Sequence, residues 1–262
     1  MCTLTVLPRG DEWIVTMNRD ERRDRGEDGD LHRDGAAAYP RDAVTGGTWF
    51  GVNRCGLVLA LLNRYDQPPE PTAPSRGRLI PEALAARTPD EVRAVLARLQ
   101  SERENPFDLV IVSREGIERL TWTGRVSRRR SHPPSRPWFF TSSSERADEV
   151  GAYRERLFRA FVDTLPQHDR PSERGLLEAR ILEHFHLGTV PGHERASILM
   201  ERETTHTKSV AQAVLAPDGV RLSYWPEEEI ARHRHARVPA AALRPRTLRL
   251  RSGRVPVPSA RE

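Results

Sequence analysis

Short apolar runs rich in β-branched residues, separated by turn-forming clusters, mark most of the first half of the chain. Residues 3–7 and 13–17 flank PRGDE and predict a β-hairpin that starts at residue 2. The charged, glycine-rich stretch at 21–45 reads as a surface loop. GGTWFGVNRCGLVLALLN (46–63) then gives two runs around Asn53-Arg54-Cys55-Gly56. The second run is apolar almost throughout, which is the pattern of a strand covered on both faces. RYDQPPEPTAPSRG follows as a proline-rich loop. Thr88-Pro89-Asp90-Glu91 fits a capping box with proline at the first helical position. Val92, Val95, Leu96 and Leu99 continue it at helical spacing, and an earlier helix is expected around 77–86.

FDLVIVS (107–113) and IERLTWT (117–123) flank Arg114-Glu115-Gly116 as a third hairpin, and RPWFFTSSS adds a strand that ends in hydroxyls. Two amphipathic helices are expected at about 146–164 and 172–186. ASILMER, HTKSVAQAVLA and VRLSYW read as strands, the last two joined by the turn Pro217-Asp218-Gly219. Residues 1–225 are expected to form one domain. The Arg-, Pro- and Ala-rich tail 226–262 is expected to be loosely packed or disordered. Antiparallel strands interrupted by paired helices predict an α+β layered sandwich.

Composition adjusts this picture only slightly. A net charge of +5 and a sequence pI near 9.8 are compatible with nucleic-acid binding. However, Lys208 is the only lysine, and acidic residues are interspersed with the arginines, as in NRDERRDRGEDGD, so the local fields largely cancel. No nucleic-acid partner is expected. Cys2 and Cys55 are too few for a disulfide framework, and the N-terminal stretch has no secretory-signal pattern. The longest apolar run, LVLALL, is far short of a membrane span, so a cytoplasmic protein is expected.

The candidate chemistry lies at the start. If Met1 is removed, Cys2 carries a thiol beside a free α-amine, and one residue supplies both nucleophile and base. Read alone, Cys2 is more simply a small buried strand residue. The hairpin register brings Asn18, Arg19 and Asp20 beside it, where an arginine favours thiolate and a carboxylate can hold the amine. By itself NRDERRDR is a hydrated charged turn. His184, His186 and His193 lack the companions a metal site needs, so no metal is expected. The five tryptophans read mostly as core.

Cys2, NRDE at 18–21, GGTWFGVNRCGLVLALLN and SRGRLIPEAL (75–84) together resemble the NRDE family, also called the transport and Golgi organisation proteins. That family is similar in turn to N-terminal-nucleophile hydrolases of the penicillin V acylase and bile-salt hydrolase type. The resemblance implies a four-layer αββα sandwich that cleaves a C–N bond of a small acylated amide through a thioester. Cys2 is the implied nucleophile and base, with Arg19 and Asp20 as its orienting pair; Glu21 is the alternative carboxylate. Asn63 falls at an implied oxyanion position, and Ser142 stands where a second Asn is expected. Where the family has Thr-Arg before its late strands, this chain has Thr205-His206-Thr207-Lys208, so His206 or Lys208 takes that place. No cofactor is implied for the hydrolase. The resemblance also leaves open a non-catalytic binding or trafficking protein for haem or a lipid-like, apolar ligand.

Overall fold

A computed structural model describes residues 2–99, 104–166 and 174–252. Two antiparallel sheets form its centre. The first runs β10-β1-β2-β11-β12-β13, built from Trp138–Ser142, Cys2–Arg9, Glu12–Arg22, Thr205–Ala216, Gly219–Trp225 and Arg246–Arg251. The second runs in chain order from β3 to β9: Glu27–Asp34, Ala37–Asp42, Phe50–Asn53, Val58–Asn63, Phe107–Ser113, Gly116–Trp122 and Ser127–His132.

Period-two alternation decides which side chains enter which layer. Along β1 and β2, Cys2, Leu4, Val6, Trp13, Val15 and Met17 point into the core between the sheets, with Val52, Val58, Ala60, Val110 and Val112 opposite. Leu7 and Ile14 point the other way, against α3 (Ala147–Asp163) and α4 (Arg174–Ile181), which continues as a π-helical turn through His186. On the far side, α1 (Leu79–Ala83) and α2 (Pro89–Leu99) cover Leu57, Leu59, Leu61, Leu109 and Ile111. β6 is therefore buried on both faces, as its unbroken apolar run requires. The four layers are α, β, β and α.

At the start of α2, the Glu91 N–H donates to Thr88 Oγ1 at 3.2 Å. The Glu91 carboxylate accepts from Arg87 N at 2.7 Å, one residue before the cap, so the box closes one position early.

Three expectations are corrected, for 21–45, ASILMER and the tail. Residues 21–45 are not a loop: they carry the end of β2, then β3 and β4. SRRRSH, for which the sequence predicts no element, is strand β9. β3 and β9 are the two edges of the seven-stranded sheet, and their polar side chains are what an unpaired edge tolerates. ASILMER is irregular, with only the isolated bridge Glu201–His206. The tail is ordered through residue 252. It forms α5 (Glu227–Ala236) and β13, with Leu250 in the inter-sheet core and Leu248 packed against it. The remainder of the tail, 253–262, lies outside the described residues. Among the described residues, no helix is long and apolar enough to cross a membrane.

Candidate active site

The β1–β2 hairpin sets Cys2 opposite Arg19 and Thr3 opposite Asn18. On its other side Cys2 pairs with Ser142 of β10, and the Cys2 backbone N donates to Ser142 Oγ at 3.2 Å. Ser142 therefore meets Cys2 as a hydrogen-bond acceptor. Burial pushes the Cys2 thiol up; the Asp20 charge adds to the rise, while Arg19 and a hydrogen bond from the Asp20 backbone oppose it.

Arg19 is held on three sides. Its Nη2 donates to Asp42 Oδ2 at 2.6 Å, its Nη1 reaches Glu27 Oε1 at 3.3 Å, and its guanidinium lies 4.4 Å from the Trp49 ring centroid. Asp42 also accepts from Arg25 Nε at 2.8 Å and from the Thr45 backbone and hydroxyl at 2.9 Å each. Burial opposes ionisation of Asp42, but the Arg25 and Thr45 hydrogen bonds and the Arg19 charge bring its pKa to about 2. Burial pushes the Glu27 carboxyl up, against the Arg19 charge and a 2.6 Å hydrogen bond from Ser209 Oγ.

Asp20 points to the opposite face of the sheet. Its Oδ1 accepts from Thr207 Oγ1 at 2.7 Å, and its Oδ2 lies 3.4 Å from Arg154 of α3. Arg154 also donates to Thr3 Oγ1 at 2.8 Å and to the Ser197 carbonyl at 2.9 Å. A second buried arginine, Arg202, donates to Ser143 Oγ at 3.2 Å. Asn18 shares this helix-side face. Its amide donates to the carbonyls of His186 and Ile198 at 2.9 and 3.1 Å, and its oxygen bonds the His186 ring. Asn18 thereby ties the π-helical turn and the 196–200 segment to the sheet, away from the Cys2 thiol.

Between the sheets, a cavity of about 380 Å³ is lined by Arg19, Glu21, Asp42, Trp49, Asn63 and Arg76, among others. Asn63 ends β6, beside β1 across the core. Among the described residues its side-chain amide donates no hydrogen bond. Glu21 faces this cavity, whereas Asp20 is sealed behind the sheet.

The structure does not bring His206 to the cavity. His206 Nε2 sits 2.9 Å from Glu227 Oε1, and Nδ1 sits 3.1 Å from Arg23. Burial, then the Arg234 charge, lowers its pKa, so it is a poor stand-in for arginine. Lys208 Nζ donates to the other Glu227 oxygen at 2.6 Å. Glu227 on α5 thus occupies both candidates for the late cation. The buried cation that Asp20 meets is instead Arg154, with Arg202 within electrostatic reach, and no linear motif marks either. His184, His186 and His193 do not converge, and among the described residues no three His, Cys, Asp or Glu side chains gather as a metal site.

Residues 1–206 match the family description Transport and Golgi organisation 2. The chain belongs to that family. No curated protein matches the sequence. Among solved structures, the Caenorhabditis elegans ortholog of N-acylethanolamine-hydrolyzing acid amidase aligns with 83% of this chain and 95% of its own, at 13% identity and a TM-score of 0.53. Penicillin V acylase from Agrobacterium tumefaciens covers 86% of this chain and 83% of its own, at 12% identity and a TM-score of 0.48. The conjugated bile acid hydrolase of Clostridium perfringens covers 95% of this chain and 96% of its own, at 12% identity and a TM-score of 0.47. At such identities the likeness is one of fold. This member of the Transport and Golgi organisation 2 family has the αββα sandwich of the N-terminal-nucleophile hydrolases.

Proposed function

We propose that this protein hydrolyses a linear amide with Cys2 as an N-terminal nucleophile. The observation that carries the reading is the position of Cys2: it opens a central strand, bonded through its nitrogen to Ser142 and opposite Arg19, and Arg19 lines a cavity with Asn63, whose amide donates to none of the described residues. Removal of Met1 turns that nitrogen into an α-amine of pKa about 8, able to take the thiol proton. Cys2 Sγ then attacks the carbonyl carbon, and the Asn63 amide donates to the oxyanion, a contact worth about 2.7–4 kcal/mol in comparable sites. The amine passes its proton to the leaving nitrogen as the C–N bond breaks, leaving a thioester. Water, deprotonated by the same amine, attacks the thioester and releases the acid and the thiol. Ser142 orients the amine in this scheme, and Asp20, fixed by Arg154 and Thr207, supports it from behind.

The charged cavity wall suits a polar amide better than a wholly apolar ligand. The test is intact mass of the purified protein with and without a thiol-directed electrophile, followed by a screen of linear amides. Loss of one methionine and turnover abolished in Cys2→Ala are expected. Turnover that survives Cys2→Ala overturns the proposal.

A further inference from the structure

Three arginines line the cavity, and their charge balance is uneven. Arg19 is paired with Asp42 and Glu27, and Arg25 is paired with Asp42. Among the described residues Arg76 has no carboxylate partner. Its one hydrogen bond runs from Nη1 to the Pro106 carbonyl at 2.8 Å, and that carbonyl also accepts the Arg64 N–H at 3.1 Å. Arg64 directly follows Asn63, so the Arg76 guanidinium is anchored beside the end of β6. Most of its five N–H donors remain unused. It is also within electrostatic reach of Tyr65, Cys2, Glu21 and Glu104, but among the described residues neither carboxylate comes within ion-pair distance.

The backbone holds Arg76 there by a close approach. Thr48 N donates to Gly77 O at 2.9 Å, and a Cβ on Gly47 would lie 2.5 Å from Gly77 C. Only glycine at 47 lets the segment carrying Arg76 sit this tightly on the β4–β5 connection that leads to Trp49. A half-buried guanidinium on a cavity wall, with no carboxylate of the described residues at ion-pair distance, is a preorganised partner for a planar carboxylate, which it can bind through two parallel hydrogen bonds.

We propose that the cavity takes a linear amide bearing a free carboxylate, and that Arg76 binds that carboxylate; the amide part of this inference rests on the hydrolase reading of Cys2. Binding to full-length Cys2→Ala protein, measured by calorimetry, tests it without turnover. The probes are N-octanoylglycine, with the carboxylate on the amine side, N-octylsuccinamic acid, with it on the acyl side, and neutral N-octanoylglycinamide. At least one acid is expected to bind about tenfold or more tightly than the neutral amide. That ratio falls toward one in Arg76→Met and is partly kept in Arg76→Lys. Equal affinity for acids and neutral amide, no binding of either acid, or an unchanged ratio in Arg76→Met overturns the proposal. If Arg76→Met does not fold, the acid-to-amide ratio with Arg76 intact and its change in Arg76→Lys decide. If Cys2 proves not to be a nucleophile but the acids bind through Arg76, the hydrolase reading fails and the anion site stands.

Discussion

Asp20 and Arg154 meet where neither side chain touches solvent, with Arg154 Nη2 3.4 Å from Asp20 Oδ2. One comes from the N-terminal hairpin and the other from the helix layer, so the pair binds α3 to the sheet at the point where Cys2 begins. Removing one member of a buried pair strands the other charge at a cost of about 3–5 kcal/mol. Arg154→Met is expected to lose that much in urea unfolding. Arg154→Met combined with Asp20→Asn is expected to recover part of it, since no bare charge is left. Equal loss in the single and double variants contradicts this account.

The two thiols are expected to react in a fixed order. Cys55 is exposed in the β5–β6 turn, whereas Cys2 is buried with its thiol pKa pushed up. The thiolate is the reactive form. In protein that keeps Met1, peptide mapping after brief iodoacetamide treatment near pH 7 should find label on Cys55 first. Faster labelling of Cys2 in that form contradicts the burial argument.

His186 makes stability depend on pH. It is fully enclosed between Thr5 and Asn18, and burial lowers its pKa from 6.5 to about 3. The unfolded chain therefore binds a proton at a pH where the folded chain does not. The contribution is complete above 6.5 and is lost as pH falls toward 3, at about 1.4 kcal/mol per pH unit. The difference between the unfolding free energies of wild type and His186→Gln between pH 7 and 5 isolates this slope, because the other shifted groups, His132, His206, Glu27 and Glu104 among them, are common to both. His186→Gln should be the less stable near pH 7 and the flatter with pH.

Gly47→Ala should cost about 1–3 kcal/mol, the usual penalty for overpacking. Its new methyl group would meet the Gly77 backbone at 2.5 Å, and backbone cannot swing aside as a side chain can. Thermal unfolding reads the loss. Gly29→Ala, where a Cβ meets nothing within 4 Å, is the control and should change little.

Deleting 226–262 removes α5 and β13 and exposes β12 as a new edge. Ile230 and Leu250 alone bury roughly 1.5–3 kcal/mol each. The truncated chain is expected to lose cooperative unfolding. A truncation that unfolds at the same urea concentration as the full chain contradicts the packing described for this segment.

Hydrophobic patterning by itself determined four hairpins, the helices on both sides of the sandwich, and the layered class, because alternation and helical spacing are local consequences of burial. It also placed Cys2 beside Arg19, since a hairpin with a short turn fixes its own register. The edge strands β3 and β9 escaped because an edge with polar side chains has no apolar face to betray it; only pairing with β4 and β8 makes each a strand. In the tail, Leu248 and Leu250 alternate with arginines in RTLRLR, a period-two signal that the surrounding Arg and Pro composition masked. Tertiary structure alone decided which charges meet. Arg154 and Arg202 reach the helix side of the Cys2 end of the sheet from distant segments, Glu227 from the presumed tail engages His206 and Lys208, and Asp42 neutralises Arg19 while Arg76 meets no carboxylate among the described residues at ion-pair distance. Ion pairing depends on positions in space across layers, and no spacing along the chain encodes which arginine finds a carboxylate.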